Sequence, residues 1–296
     1  YNACISKFKT CAINPMTGFE KDYALTPATK KENILIVGGG PGGMYAAITA
    51  AKRGFDVELW EKEYELGGAL RAAGAPKFKA DTRRYMEYLK KQVLKHNITV
   101  RYNKEATVEE ILKHNPDVVI VAAGTKPIIP NIPGIEGENV VEATNLLANN
   151  IETGEKVVVL GGGLVGCETA LMLEQEGKDV TIVEMLDDLL LTAVHAPNCD
   201  QILKDMVAAS NIKVMTSTTL LSIDKDKVLV KVNDEEKEIP CDTLVVSVGY
   251  KSDKSLAEAL ETKIKKVFEI GDYEQPGKII NAVHKGFHTI RLLEDL

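Results

Sequence analysis

Aromatic residues are scarce in this sequence, 5% of 296 positions with a single Trp. A surface that stacks bases along a nucleic-acid strand needs more rings than that. A positive excess is missing as well: 36 basic residues face 43 acidic ones, for a formal charge of −7. General binding to a phosphate backbone is thereby excluded. No apolar run approaches the roughly 18–20 residues a membrane-spanning helix requires, and no signal-peptide pattern opens the sequence. Cysteine is sparse and odd in number, at Cys4, Cys11, Cys167, Cys199 and Cys241. That count, scattered after the first two, argues against a disulfide framework. Apolar residues, at 45%, are too many for disorder, and the 23 glycines suit numerous turns. The expectation is a cytoplasmic α/β enzyme with no nucleic-acid or membrane partner. A start at Tyr1 without Met reads as a piece of something larger.

The strongest signal is internal repetition. Residues 34–61 (ILIVGGGPGGMYAAITAAKRGFDVELWE) align without a gap on residues 157–184 (VVVLGGGLVGCETALMLEQEGKDVTIVE), at an offset of 123. Later, Asp117-VVIVAAG-Thr125 returns as Asp242-TLVVSVG-Tyr250, at an offset of 125. In each copy an unbroken apolar run suits a parallel strand covered on both faces. A glycine turn, a helix closed by Gly54 or Gly177, and a second strand follow. These are right-handed βαβ units, and two of them predict two doubly wound, Rossmann-like nucleotide-binding modules.

Between these landmarks, residues 83–95 carry a helical apolar period and are followed by a short strand, ITVRYN. The proline-rich stretch 125–138 reads as a surface connection, and 220–239 as an antiparallel hairpin turning near Asn233-Asp234. The predicted organisation is a lead-in over 1–31, a first module over 32–152, a second over 153–251 inserted into it, and a return segment over 252–296.

The glycine spacing has a chemistry. In Gly38-x-Gly40-x-x-Gly43 the first glycine permits a tight turn, the second lets backbone approach a pyrophosphate, and the third lets helix pack on strand. Pro41 and Gly42 complete the turn, and the helix N-terminus offers unpaired N–H groups to the phosphates. Glu61, 23 residues after Gly38, is placed to accept ribose hydroxyls, with Lys62 beside it. Gly161, Gly163, Leu164, Val165, Gly166 and Glu184 repeat the arrangement. A carboxylate at Glu184 accepts the 2′-hydroxyl of NAD and repels the 2′-phosphate of NADP, and Met185, Leu186, Asp187 and Asp188 offer no Arg to hold that phosphate. NADH is favoured over NADPH.

With Gly67-Gly68 after the first acid and Gly271-Asp272 near the end, the sequence resembles the two-dinucleotide flavoproteins of the pyridine nucleotide–disulfide oxidoreductase fold. The resemblance covers residues 32–296. It implies FAD in the first module, at Gly38, Gly40, Gly43, Glu61, Gly68, Ala123, Gly124, Gly271 and Asp272, the last binding the ribityl chain. It implies NAD(P)H in the second, with Glu168 near the nicotinamide ribose and Gly249 at the end of the later strand. No redox cysteine pair follows Gly68 or sits in the second module, so a dithiol relay is excluded. Cys167, Cys199 and Cys241 read as structural.

The front end, Lys9-Thr10-Cys11-Ala-Ile-Asn14-Pro15, looks like the close of the iron–sulfur motif in 2,4-dienoyl-CoA reductase, trimethylamine dehydrogenase and related NADH:flavin or enoate reductases. That resemblance implies an FMN-binding (β/α)8 barrel domain earlier in the same polypeptide. It also implies Cys11, and with a shorter spacing Cys4, as ligands of a [4Fe–4S] cluster in the full-length protein. A cluster takes four thiolates, so none is expected here. His284 and His288, one helical turn apart, lack the further ligands of a zinc site.

The expected function is an NADH-dependent flavin oxidoreductase module. It passes a hydride from NADH to FAD without a catalytic side chain, and electrons onward through iron–sulfur to FMN. A helix beginning at Lys278 would turn its positive end toward reduced flavin. Two alternatives stand: a structural ADP-binding module as in trimethylamine dehydrogenase, and an electron-transfer domain like the glutamate synthase small subunit. A homo-oligomer of the full-length protein is left open, as are its substrate and the direction of electron flow.

Overall fold

The computed structural model describes residues 10–191 and 197–295. Strand β1 (Asn33–Val37), helix α1 (Pro41–Arg53) and strand β2 (Asp56–Trp60) form the first repeat. Then come α2 (Ala69–Ala73), α3 (Ala80–Lys95), β3 (Thr99–Arg101), α4 (Val108–His114) and β4 (Val118–Val121). A connection through β5 (Thr125–Pro127), β6 (Val140–Glu142) and α5 (Ala143–Asn149) leads to the second repeat, β7 (Lys156–Leu160), α6 (Leu164–Gln175) and β8 (Asp179–Val183). After it stand α7 (Pro197–Ala208), β9 (Lys213–Met215), β10 (Thr218–Ile223), β11 (Lys227–Val232), β12 (Glu235–Pro240), β13 (Thr243–Val246) and β14 (Tyr250–Ser252). The last elements are α8 (Ser255–Glu261), β15 (Lys266–Glu269) and α9 (Ile279–Arg291). Two compact units result: residues 10–71, 81–126 and 251–295 form one, and residues 72–80 and 127–250 the other.

In the first of these, five parallel strands run in the order β15-β4-β1-β2-β3. The two-residue period of a strand divides their apolar side chains between two layers. Ile34 and Ile36 pack with Met44, Leu89, Val283 and Ile290 of α1, α3 and α9. Leu35 and Val37 pack on the other face with Ile111, Ala257 and Leu260 of α4 and α8. Strands buried on both faces need continuous apolar runs, which is why β1 and β4 show no polar alternation. Helix α1 ends at Gly54, φ +88, whose N–H returns to the Ala50 and Ala51 carbonyls, as the sequence predicts.

Arg53 clamps this unit. Its side chain is buried, and it donates to the carbonyls of Thr26 (2.9 Å) and Ile290 (2.7 Å) and pairs with Glu294. Glu294 Oε1 in turn accepts from the Thr29 N–H (2.7 Å) and hydroxyl (2.6 Å). The lead-in, the end of α1 and the end of α9 are thereby tied together. Residues 24–28 form neither helix nor strand.

The other unit repeats the plan with parallel order β6-β13-β7-β8-β9. Val157 and Val159 face α5, α6 and α7 through Leu146, Cys167, Leu171 and Val207. Val158 and Leu160 face β10, β11 and β12 through Leu220, Val228, Val230 and Ile239. Those three strands form an antiparallel meander, one strand more than the predicted hairpin. A register shift between Leu220 and Ser222 breaks the alternation that would have marked β10 as a separate strand. The tight turn falls at Asn233 and Asp234, φ +49 and +66, the left-handed pair a two-residue hairpin requires.

Candidate functional site

An open α/β sheet binds ligands where its winding reverses, at the carboxyl ends of the strands. In the unit holding the first repeat, that point lies between β1 and β4. The turn Gly38–Gly43 leaves β1 there, with Ala122, Ala123 and Gly124 leaving β4 beside it. Gly38 has φ +104, and a Cβ on it would sit 2.4 Å from the Ala122 oxygen. A Cβ on Gly43 would lie 1.9 Å from the Gly38 oxygen, so helix and strand touch backbone to backbone.

Gly40 is different. Its φ of −73 suits any residue, and a Cβ there would meet Gly68 Cα at 4.0 Å, an ordinary contact. The chain itself has no need of glycine at this place. Helix α1 opens here with Pro41 in its first turn and no side-chain cap, leaving first-turn N–H groups directed at that space.

Glu61 is buried and engaged at both oxygens. Oε2 accepts the Gly39 N–H at 2.7 Å and Oε1 the Glu63 N–H at 2.8 Å. A carboxylate has about four lone-pair positions, so two remain for ribose hydroxyls. Lys62 is exposed, 4.0 Å from Glu63. Gly68, φ +50, closes on Gly40, and Gly124 has φ +73.

The return segment joins the same place. Helix α9 crosses α1 so closely that a Cβ on Gly286 would stand 2.6 Å from the Gly42 oxygen, and one on Gly42 3.2 Å from the Ala282 oxygen. Gly271, φ +64, abuts Ala282. Asp272 Oδ1 accepts the Gly277 N–H at 3.1 Å, its carbonyl accepts the Ser252 hydroxyl at 2.8 Å, and burial pushes its carboxyl up. The Lys278 N–H donates to Asn281 Oδ1 at 2.9 Å as α9 begins. All residues expected at the first site therefore lie on adjoining pieces of one unit, and of these Lys62 points to solvent.

The second turn copies the first down to single hydrogen bonds. Gly161 has φ +106 and its Cβ would meet the Ser247 oxygen at 2.3 Å; a Cβ on Gly166 would stand 1.9 Å from the Gly161 oxygen. Glu184 Oε2 accepts the Gly162 N–H (2.5 Å) and Oε1 the Leu186 N–H (2.8 Å). These residues are offset by 123 from Gly39, Glu61 and Glu63. The Gly67 N–H donates to the Gly39 oxygen at 2.9 Å, and Leu190 to Gly162 at the same distance. Gly163, φ −75, again has room: a Cβ there would find nothing within 4 Å. Leu164 and Val165 open α6 without a side-chain cap, and Gly249, φ +109, follows Ser247 by two residues.

Glu168 is held by Lys79, an ion pair absent from the sequence-level expectation. Lys79 comes from residues 72–80, which belong to this unit, where Ala72 and Ala75 pack with the α5–α6–α7 cluster. Leu66 and Leu189 were missed as well. They sit at the same offset of 123, and their side chains fill the space beside Gly39 and Gly162, 2.4 and 2.5 Å from the Cβ positions. Extending the repeat five residues past each glutamate would have found them.

The remaining candidates separate. The Cys167 thiol donates to the Gly162 oxygen at 3.4 Å, and burial pushes it up to about 12; Cys241 is likewise pushed up to about 11. Both are inert core residues. Cys11 is half-buried, with its carbonyl 2.8 Å from His284 Nε2; Cys4 lies outside the described residues. His288 sits edge-on to Tyr23. Among the described residues no group of three or more His, Cys, Asp or Glu is arranged to hold a metal, and no helix is long and apolar enough to cross a membrane.

The residues present fit dinucleotides in both turns: a glycine where the chain leaves room for a side chain, uncapped helix starts, and an acid at each second strand. The fold and these paired turns define an oxidoreductase class that handles two dinucleotides. The family model for pyridine nucleotide-disulphide oxidoreductases matches residues 32–286, and the chain belongs to that family. It is 36% identical over 285 residues to cinnamate reductase of Clostridium sporogenes, covering 95% of this chain and 42% of that protein. To an NADH oxidase of Thermoanaerobacter brockii it is 38% identical, covering 94% and 44%. A solved 2-naphthoyl-CoA reductase complexed with 2-naphthoyl-CoA superposes with a TM-score of 0.88 at 34% identity, over 97% of this chain and 44% of that one. The chain spans less than half the length of these relatives. The resemblance to the dinucleotide-binding region of enoate-reductase-like proteins is borne out, and with it the α/β class with Rossmann-like units.

Proposed function

We propose that this chain is the dinucleotide-binding half of a longer NADH-dependent flavin reductase of the enoate-reductase kind. FAD is assigned to the turn Gly38–Gly43 with Glu61 and Asp272, and NADH to Gly161–Gly166 with Glu184. The observation that carries this reading is the pair Gly40 and Gly163, glycines at positions where the chain leaves room for a side chain. When bound at these turns, the two dinucleotides would supply hydride-transfer and one-electron chemistry.

The chain's part is binding and orientation. First-turn N–H groups of α1 and α6 meet the pyrophosphates, while Glu61 and Glu184 keep the glycine turns in register and accept ribose hydroxyls. Asp272 holds the polyol chain of the flavin, and the start of α9 directs its positive end at negative charge. Glu168 lies near the nicotinamide ribose in this reading, steered by Lys79. No acid, base or nucleophile is required.

The proposed recipient of the electrons is a portion of the longer polypeptide bearing a [4Fe–4S] cluster, with Cys11 among its ligands, and FMN. An unsaturated carbonyl compound is the proposed substrate there. Support comes from relatives named cinnamate reductase and 2-naphthoyl-CoA reductase, each about twice the length matched.

The test is an absorbance spectrum of the purified chain, reconstituted with FAD, before and after anaerobic NADH. A flavin band that bleaches on addition supports both assignments. A chain that binds ADP but neither retains FAD nor responds to NADH refutes the redox reading and leaves a structural nucleotide module.

A further inference from the structure

The loop after Glu184 contains no basic residue, yet the fold brings one to it. Lys204, in α7, donates its ammonium to Asp188 Oδ2 at 2.5 Å. The other Asp188 oxygen accepts the Leu189 N–H at 2.7 Å. This loop is drawn onto the glycine turn at both ends, by Gly162 N–H to Glu184 and by Leu190 N–H to the Gly162 oxygen. Between those ends the Leu189 side chain and Glu184 Oε2 both flank the Gly162 Cα, 2.5 and 3.1 Å from where a Cβ would be. Glu184 and Asp188 therefore share one compact loop, with Lys204 at its rim.

A 2′-phosphate on the adenosine ribose would arrive beside Glu184, and accepting it requires a cation at that place. Lys204 is the cation that the fold brings to this loop, and Asp188 pairs with it. We propose that Asp188 is a specificity-determining residue: by holding Lys204 in an ion pair it withholds a cation from the 2′-phosphate and secures the preference for NADH over NADPH. Glu184 rejects the phosphate by repulsion, and Asp188 does so by occupying the donor that would otherwise compensate. This rests on the reading that the second turn takes a nicotinamide dinucleotide.

The experiment measures affinities of the full chain for NADH, NADPH and the non-redox probes 5′-AMP and 2′-AMP by calorimetry. The variants are Asp188→Asn, Lys204→Met and the double variant. Asn at 188 keeps an acceptor for the Leu189 N–H, so the loop stays closed, which a thermal melt checks. Asp188→Asn is expected to move the NADPH-to-NADH affinity ratio about tenfold toward NADPH, the size of one added charge-assisted hydrogen bond. The ratio for 2′-AMP over 5′-AMP should move in the same sense, and Lys204→Met in the double variant should cancel both gains. A ratio unmoved by Asp188→Asn, or a gain that survives loss of Lys204, overturns the assignment while NADH binding stands. A chain that binds neither NADH nor 5′-AMP overturns it together with the dinucleotide reading.

Discussion

Alanine at Gly163 and at Gly166 should separate ligand from fold within one turn. At Gly166 the new methyl would sit 1.9 Å from the Gly161 oxygen. Ordinary contact needs more than an ångström beyond that, so α6 must lift from β7. Overpacking of this kind costs about 1–3 kcal/mol, and the upper end applies because neither atom belongs to a flexible side chain. At Gly163 the methyl meets nothing within 4 Å, and φ is −75. There an alanine loses up to ~1 kcal/mol as a poorer helix cap and regains ~0.4–1 kcal/mol by restricting the unfolded chain, leaving stability nearly unchanged. The same methyl occupies the space assigned to the pyrophosphate, so NADH affinity should fall at least tenfold, or about 1.4 kcal/mol. Urea denaturation of the two variants, with NADH titration of each, reads both quantities. The reasoning is refuted if Gly163→Ala binds NADH as the parent does, or if it destabilises as much as Gly166→Ala. Gly40 and Gly43 offer the same contrast for FAD.

Glu294 provides a pH test. The Thr29 hydroxyl and N–H, with Arg53, lower its pKa from 4.5 to about 2. Its contribution to stability is therefore complete above pH 4.5 and lost as pH falls toward 2, and Glu294→Gln should flatten the acid limb of a melting-temperature profile over that window. Cys167 and Cys241, buried and pushed up to about 12 and 11, should resist iodoacetamide at about pH 8 until urea unfolds the chain; labelling of either in the native protein would contradict their burial. Lys79→Met removes the cation paired with Glu168 and should weaken NADH binding about threefold through lost attraction to the anionic ligand. An unchanged titration would place Lys79 outside the site.

Both glycine turns were legible because each glycine answers a local demand. Gly38 and Gly161 need positive φ, Gly43 and Gly166 a close approach, and Gly40 and Gly163 an open face; these fix the spacing that a repeat displays. The parallel strands were legible for a similar reason, since burial on both sides leaves no room for polar residues in β1, β4, β7 and β13. What stayed hidden depends on contacts between distant positions. Lys79 reaches Glu168 across 89 residues of chain, and Lys204 meets Asp188 only because α7 folds back over the loop. Nothing in Pro76-Lys77-Phe78-Lys79 announces a partner. Strand β10 was merged with its neighbour because a bulge disturbed the two-residue period, a reminder that alternation is a property of regular pairing.

The arrangement of the first unit has a consequence for how the protein is made. Its central strand is complete by Val37, but Asp272 and the helix that crosses α1 follow only after residues 127–250. Until α9 leaves the ribosome, α1 exposes the small-residue seat formed by Gly42 and Ala46, and β4 lacks its neighbour β15. Residues 127–250 can meanwhile close around their own sheet, needing from earlier in the chain only the stretch 72–80. Synthesis should therefore finish the later pocket before the earlier one, and ribosome-stalled chains ending before residue 266 should capture NADH while failing to hold flavin.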